Sequence, residues 1–229
     1  MIILNIETST SACSAAITKD GIAVASRANL EGANHASDLP LFIEQLLNEA
    51  KAHHWVLDAV ALSQGPGSYT GLRIGASIAK GLCYGFNIPL IPIDTLQVLC
   101  ASLTISPEEE ALLCPMLDAR RMEVYTAMYS PKDLQRNTDI EAMIIDENAF
   151  KTELNKQKIY FFGNGAEKCT RVITAPNAHF ISHIVPQAQY MGKLAEACNH
   201  PLDIKQLAYY EPFYLKEFIA APSHIKGLK

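Results

Sequence analysis

The stretch SQGPGSYTGLRIGASIAKG, residues 63–81, places glycines on both sides of the point where a helix should begin. Two readings of it lead in different directions. If the glycines wrap a phosphate, Gly65, Gly67 and Gly71 follow a strand and Asp94 ends the next one, the loose fingerprint of a dinucleotide-binding βαβ unit. If they serve packing, Gly71, Gly75, Ala79 and Cys83 recur every four residues as a smooth ridge along one side of the helix. A P-loop is excluded, because no glycine here is followed by the Lys and Ser or Thr that reach the phosphates. Pro66 stands where a chain would have to wrap closely around a pyrophosphate, which favours packing. Each glycine inside a helix costs about 1 kcal/mol relative to alanine, so close approach of another backbone must offset it. Either the underlying sheet or a helix of a second protein would do so.

Outward from this stretch the chain reads as a mixed sheet flanked by helices. IILNI, residues 2–6, is a short apolar strand that stops at the hydroxyl-rich ETSTSACS before AAIT resumes the β pattern. KDG at 19–21 supplies a hairpin turn into IAVASRA, giving a three-stranded meander. Leu39, Phe42, Ile43, Leu46, Leu47 and Ala50 then recur at helical spacing, with Ser37 as N-cap and Pro40 in the first turn. DAVALS at 58–63 and IPLIPI at 88–93 read as buried strands on either side of the glycine-rich helix. SLTISPEEE at 102–110, with Pro107 and three successive acids, joins two lobes, residues 1–104 and 105–229. After it, ALLCPMLDARRMEVYTAMYS repeats strand, polar turn and strand; AMII and KIYFFGNGA add strands; residues 186–200 form a helix. The second half starts like the first but is less complete, and no sequence repeat links them.

The bulk numbers set limits on function. The 229 residues, 49% apolar and 19% charged, are those of a globular chain able to bury a core. A formal charge of -5 provides no global attraction to nucleic acid or to an anionic membrane. Met1 opens directly into MIILNIE with no basic leader, and no apolar run approaches the roughly 20 residues of a membrane span, so the expected location is cytoplasmic. The six cysteines form no C-x-x-C pair and read as small buried hydrophobes. His179 and His183 are four apart, but HFISHIVP has the pattern of a strand, where such a pair cannot easily chelate, so no metal site is expected.

The sequence touches on three further chemistries. In NIETSTSACS a strand ends in Glu7 and runs into Thr8 and Ser9, the position where actin-like ATPases wrap phosphates with an Asp and a Gly. Glu7 replaces that Asp and residues 8–11 hold no glycine, so the same residues read equally as a turn whose hydroxyls satisfy backbone groups. A ribonuclease H-like nuclease needs several carboxylates converging on two metals; Glu7 and Glu44 are available, but the strand at 58–63 ends in Ser63 and Gln64 instead of an acid. Ser68 lacks the G-x-S-x-G elbow of a nucleophilic serine and has no assignable His and Asp partners. No catalytic residue is expected.

NIETST, the single His35 before the first helix, GPGSYTGLRIG at 65–75 and LDARRMEVY together resemble the TsaB family, also called YeaZ. The pattern G-P-G-S-[FY]-T-G-[LV]-R-[IV]-G is matched in full, and D-A-R by Asp118, Ala119 and Arg120. The resemblance runs from residue 1 to about residue 165 and returns near YYEPFYLK. It implies an α/β, actin-like (ASKHA, ribonuclease H-like) fold of two lobes, each a mixed sheet flanked by helices, the second reduced. It also implies a non-catalytic subunit that binds and activates TsaD in threonylcarbamoylation of tRNA adenosine 37, in tRNAs reading ANN codons; the alternative is an actin-like ATP-binding enzyme. The family lacks the metal-binding histidine pair and complete ATP site of TsaD, and here His35 has no partner histidine nearby. No cofactor of this chain is expected, while the complex uses ATP and threonylcarbamoyl adenylate. Implied partners are a TsaD-like subunit, a TsaE-like ATPase, tRNA through the complex and, in isolation, a second copy, with no membrane. Carried onto this sequence, the interface comprises Leu39, Phe42, Ile43 and Leu46 of the first helix and Gly71, Gly75 and Ala79 of the second, and Glu7, Thr8 and Ser9 mark a vestigial phosphate loop. Arg120 with Arg121, Arg73 and the tail HIKGLK are candidate tRNA contacts and equally solvated surface features.

Overall fold

The computed structural model describes residues 1–198 and 200–216. The expected meander is present as β1 (Ile2–Glu7), β2 (Cys13–Lys19) and β3 (Ile22–Asn29), all antiparallel. The β2–β3 turn is tight because Asp20 and Gly21 both adopt positive φ, as a type I′ hairpin requires. There follow α1 (His35–Ala52), β4 (Ala59–Gly65), α2 (Tyr69–Phe86), β5 (Leu90–Asp94) and α3 (Thr95–Ala101). The strands pair in the order β3-β2-β1-β4-β5, with β1, β4 and β5 parallel.

The second sheet is built from β6 (Leu112–Asp118), β7 (Glu123–Thr126), β8 (Glu141–Ile144), β9 (Ile159–Phe162) and β10 (Ala178–Ile181) in the order β10-β9-β6-β7-β8. Read from β8, this is the order of the first sheet: an antiparallel meander β6-β7-β8 followed by β9 and β10 parallel to β6. The duplication that the sequence does not display is present in the topology. What is reduced in the second lobe is its helices. The 18-residue α1 corresponds to the four-residue α4 (Lys151–Leu154), and the 18-residue α2 to a three-residue 3₁₀ turn at Glu167–Cys169.

Alternation along the strands divides the first lobe into two apolar layers. Leu4, Ile6, Ile17, Val60 and Leu62 face α1 and α2, which cover them with Leu39, Ile43, Leu46, Ala76, Ala79 and Cys83. Ile3, Ala16, Ala59, Ala61 and Ile91 face the other way and are covered by Ala188, Met191 and Ala195. The helix expected over 186–200 is therefore two short pieces, a 3₁₀ turn at Ala188–Tyr190 and α5 (Gly192–Ala197). A Cβ at Gly192 would stand 2.8 Å from the Gly21 carbonyl oxygen, so this helix begins where the chain presses on the β2–β3 turn. The capped helix α6 (Ile204–Leu207) then docks Leu207 into the layer beneath α1 and α2. A division at residue 104 separates the two sheets, while residues 186–210 return to the first.

The lobes are joined by a third apolar layer. Leu96, Leu99 and Cys100 of α3 pack with Leu113, Leu117, Tyr129 and Phe162 of the second lobe. Beside them the Tyr129 hydroxyl donates to Asp94 Oδ2 at 2.5 Å, and Asp94 Oδ1 caps α3 by accepting from the Leu96 amide at 2.9 Å.

Candidate functional site

The glycine stretch lies at the mouth of a cleft of about 820 Å³ between the lobes. One wall is the β1–β2 turn, Ser9 to Ser11, with Gly67 and Ser68 before α2; the other is the β6–β7 turn, Asp118 to Arg121. What meets the glycines decides between the two readings of the motif. Cβ atoms at Gly67 and Gly71 would fall well under 3.0 Å from the carbonyl oxygens of Ser9 and Thr8, a separation that backbone cannot accommodate without moving. Gly65, at φ +115°, receives the Phe213 carbonyl, 2.5 Å from where a Cβ would be. The chain itself fills the space that a pyrophosphate needs, and Asp94 is committed to α3 and Tyr129. The dinucleotide reading is thus overturned: the glycines serve packing.

The β1–β2 turn and the start of α2 are locked by a short set of bonds. The Ser68 amide donates to the Ser9 carbonyl at 2.6 Å, and the Thr8 hydroxyl donates to the Gly71 carbonyl at 2.9 Å. Ser68 also caps α2 by accepting from the Gly71 amide at 3.3 Å. Glu7 is fully buried, its Oε1 accepting from the Ser9 amide at 2.6 Å and the Ser9 hydroxyl at 2.5 Å. Burial pushes the Glu7 carboxyl up, and the bonds from Ser9, together with the Ser63 hydroxyl, only partly offset it. Burial likewise pushes Asp94 up against the opposing pull of Tyr129, the Leu96 amide and Arg136. Glu44 is exposed on α1, so it does not converge with the buried Glu7 in the manner of a nuclease. Among the described residues there is no cluster of three or more His, Cys, Asp or Glu side chains placed to hold a metal, and no helix long and apolar enough to cross a membrane. His35 lines the cleft with its Nε2 3.2 Å from the Ala12 carbonyl oxygen.

The expected interface residues are distributed differently from the expectation. Leu39, Leu46 and Ala79 have no exposed surface and Ile43 is 5% exposed; all four belong to the core under the helices. Gly71 faces Thr8, and Gly75 faces the Thr8 hydroxyl and, at 3.1 Å, Leu62 Cδ1. Only Phe42 is half-buried. The physical reason is that α2 lies directly on the β1–β2 turn, so its four-residue ridge is consumed within the chain. The opposite side of α2 presents Thr70, Ile74, Ser77, Ile78, Gly81 and Gly85 at helical spacing. Ala36 of α1 joins Thr70, Ile74 and Ile78 in lining a shallow groove of about 470 Å³. Cβ atoms at Gly81 and Gly85 would meet nothing within 4 Å, and Tyr84 and Phe86 nearby are 76% and 50% exposed. This outer row escaped sequence reasoning, although Ile74, Ser77 and Gly81 belong to the stretch at its centre.

The remaining candidates sit around the cleft. Arg120 and Arg121 are exposed at positive φ on the β6–β7 turn, where Asp118 Oδ1 accepts from the Arg120 amide at 3.0 Å. Lys168 bonds Asp118 and the Glu123 carbonyl. Arg73 donates to the Tyr69 hydroxyl at 2.6 Å and lies over that ring. The tail HIKGLK lies outside the described residues.

Comparison with known proteins fits this geometry. The family model described as TsaD, tRNA N6-adenosine threonylcarbamoyltransferase, matches residues 29–200. The chain is 31% identical to the Bacillus subtilis tRNA threonylcarbamoyladenosine biosynthesis protein TsaB over 210 residues, covering 89% of this chain and 85% of that one. It is 28% identical to the Haemophilus influenzae TsaB over 226 residues, covering 93% of each. Its backbone is similar to that of a Pseudomonas aeruginosa protein described as resembling peptidase YEAZ, with a TM-score of 0.79, 25% identity, and coverage of 94% of this chain and 99% of that one. Identity sustained along nearly the whole of a TsaB protein, on a two-lobed backbone shared with a YeaZ-like one, fixes the relationship: the chain belongs to the TsaB family, also called YeaZ.

Proposed function

We propose that this chain is a non-catalytic subunit in the formation of threonylcarbamoyladenosine on tRNA, and that it binds and activates a TsaD-like partner through the outer face of α1 and α2. Its TsaB relatives are named for that biosynthesis. The observation that carries the docking face is the outer row of α2. Gly81 and Gly85 are open to solvent on a helix where alanine would be preferred by about 1 kcal/mol each. They adjoin the apolar groove lined by Ile74 and Ile78. A second helix laid along this row gains close backbone approach at the glycines and covers the part of Ile74 and Ile78 that the core beneath them leaves open. In the absence of the partner, a second copy of this chain covers the same face.

A non-catalytic role agrees with how the chain spends its polar groups at the cleft. The Thr8 and Ser9 carbonyls press on the N-terminus of α2, and the Glu7 carboxylate is buried against Ser9. A helix N-terminus attracts anions, and here its amide at Ser68 is already satisfied. ATP and threonylcarbamoyl adenylate are accordingly assigned to the partner subunits, among them a TsaE-like ATPase. With a net charge of -5, most tRNA contact falls to the assembled complex.

The test is to deplete the protein in its own cells and quantify threonylcarbamoyladenosine in hydrolysed tRNA by mass spectrometry. The nucleoside should fall and return with the wild-type gene but not with Ile78→Arg. Unchanged nucleoside on depletion would refute the role. ATP titrated into the isolated chain is expected to give no saturable heat; saturable binding would favour an actin-like ATP-binding enzyme instead.

A further inference from the structure

The interlobe boundary is held in two unlike ways at its two ends. At one end is the apolar layer of Leu96, Leu99, Leu113, Leu117 and Phe162, reinforced by the Tyr129 to Asp94 bond. At the other end, residues 211–216 cross the mouth of the cleft. They start from a firm root: Tyr210 is 8% exposed in the first-lobe core, and Lys80 Nζ reaches the Ala208 carbonyl at 3.4 Å. The segment then lies on the glycine loop. The Phe213 amide donates to the Gln64 carbonyl at 2.7 Å, the Phe213 carbonyl rests on Gly65, and the Tyr214 ring packs on Tyr69 with centroids 5.1 Å apart. Two residues later the strap reaches the second lobe, where Lys216 pairs with Glu123 of β7. Phe213, Tyr214, Leu215 and Lys216 all line the cleft.

We infer that residues 211–216 are a clasp that closes the interlobe cleft, hinged at the α3 layer and latched on the second lobe by the Lys216–Glu123 ion pair. The two ends respond differently to solution conditions. The hinge is held mainly by apolar burial, which moderate salt leaves in place, beside an Arg136–Asp94 ion pair at 3.7 Å, whereas the latch rests on the pairing of side chains that are 43% and 20% exposed, which salt screens. An exposed ion pair contributes about 0.2–1 kcal/mol, which sets a latch that opens and recloses readily. Gly65 is part of the device: at φ +115° and in contact with the Phe213 carbonyl, it admits a strap that any side chain there would exclude. Lys168 holds the second-lobe side of the latch in place, bonding both Asp118 and the Glu123 carbonyl. The clasp does not depend on the assignment of the partner face.

The test is hydrogen–deuterium exchange on the full chain at fixed pH, reading the Phe213 amide and the amides of residues 119–123. Lys216→Gln should speed exchange of the Phe213 amide by about 1.5- to 5-fold, the range an exposed pair spans. Lys216→Glu should speed it further, and the swapped pair Glu123→Lys with Lys216→Glu should restore it to within about twofold of wild type. Raising salt from 50 to 500 mM should move the wild type towards Lys216→Gln. Amides of α3 should not change in any variant. Wild-type protection of Phe213 in Lys216→Glu, or a swapped pair exchanging as fast as the single variant, would overturn the clasp.

Discussion

Two glycines ten residues apart on α2 should respond in opposite directions to the same substitution. A Cβ at Gly71 would collide with the Thr8 carbonyl oxygen, a backbone atom that moves only if the β1–β2 turn or the helix moves with it. Overpacking of this kind costs about 1–3 kcal/mol. The shift also loosens the Thr8 hydroxyl bond to Gly71 and the Ser68 amide bond to Ser9, each contributing about 0.5–1.5 kcal/mol net. The helical preference for alanine returns about 1 kcal/mol. Gly71→Ala should therefore lose about 1–5 kcal/mol overall. For a chain of this length that lowers Tm by roughly 2–4 °C per kcal/mol, or about 2–20 °C. At Gly81 nothing lies within 4 Å of the added methyl, so only the helical preference remains and Tm should rise by about 2–4 °C. Differential scanning calorimetry of the two single variants beside the wild type decides the matter. A Gly71→Ala variant as stable as wild type, or a Gly81→Ala variant less stable, would refute the placement of α2 on the β1–β2 turn.

The other predictions concern the same architecture. Gly75→Leu should lower stability in urea by overpacking Thr8 and Leu62, and any loss of partner binding should follow from that unfolding. Glu7 has a folded-state carboxyl raised above its ordinary 4.5, so its protonated form favours folding, and that contribution is lost as pH rises from about 4.5 through the raised value. Urea unfolding of Glu7→Gln should accordingly show a smaller loss of stability between pH 5 and pH 8 than wild type; an identical pH dependence would refute the assignment. Tyr129→Phe removes the donor to Asp94 and should cost about 1.5–3 kcal/mol, more at pH 8 than at pH 5, because the hydroxyl supports the ionised carboxylate. A loss independent of pH would place the effect in packing alone.

Much of the first lobe was legible because its signals are local. Alternation marks β1 to β3, the KDG turn carries its own φ preference, and Ser68 caps α2 within the quoted stretch. The start of α1 was misplaced for a local reason as well. Asn34 precedes the helix, Asp38 Oδ2 accepts its amide at 3.2 Å, and Ser37 falls inside the first turn instead of capping it. The helix α3 was missed because Leu96, Val98, Leu99 and Cys100 are all buried, leaving no polar face to reveal a helical period. The second lobe's repeat of the first was hidden because four of its five strands shrink to four residues while its order is kept. Which way the glycine ridge points was not readable at all. Gly71 and Gly75 on one side and Gly81 and Gly85 on the other satisfy the same spacing rules, and only Thr8, 63 residues before Gly71, distinguishes them.

The proposed docking of a TsaD-like subunit on the outer row of α2 can be read by sedimentation of the purified chain with the TsaD-like protein of the same cells. A stable complex is predicted for the wild type. Ile78→Arg, with its melting temperature unchanged, should sediment as separate components. A complex that forms equally well with Ile78→Arg, or no complex with the wild type, would contradict it.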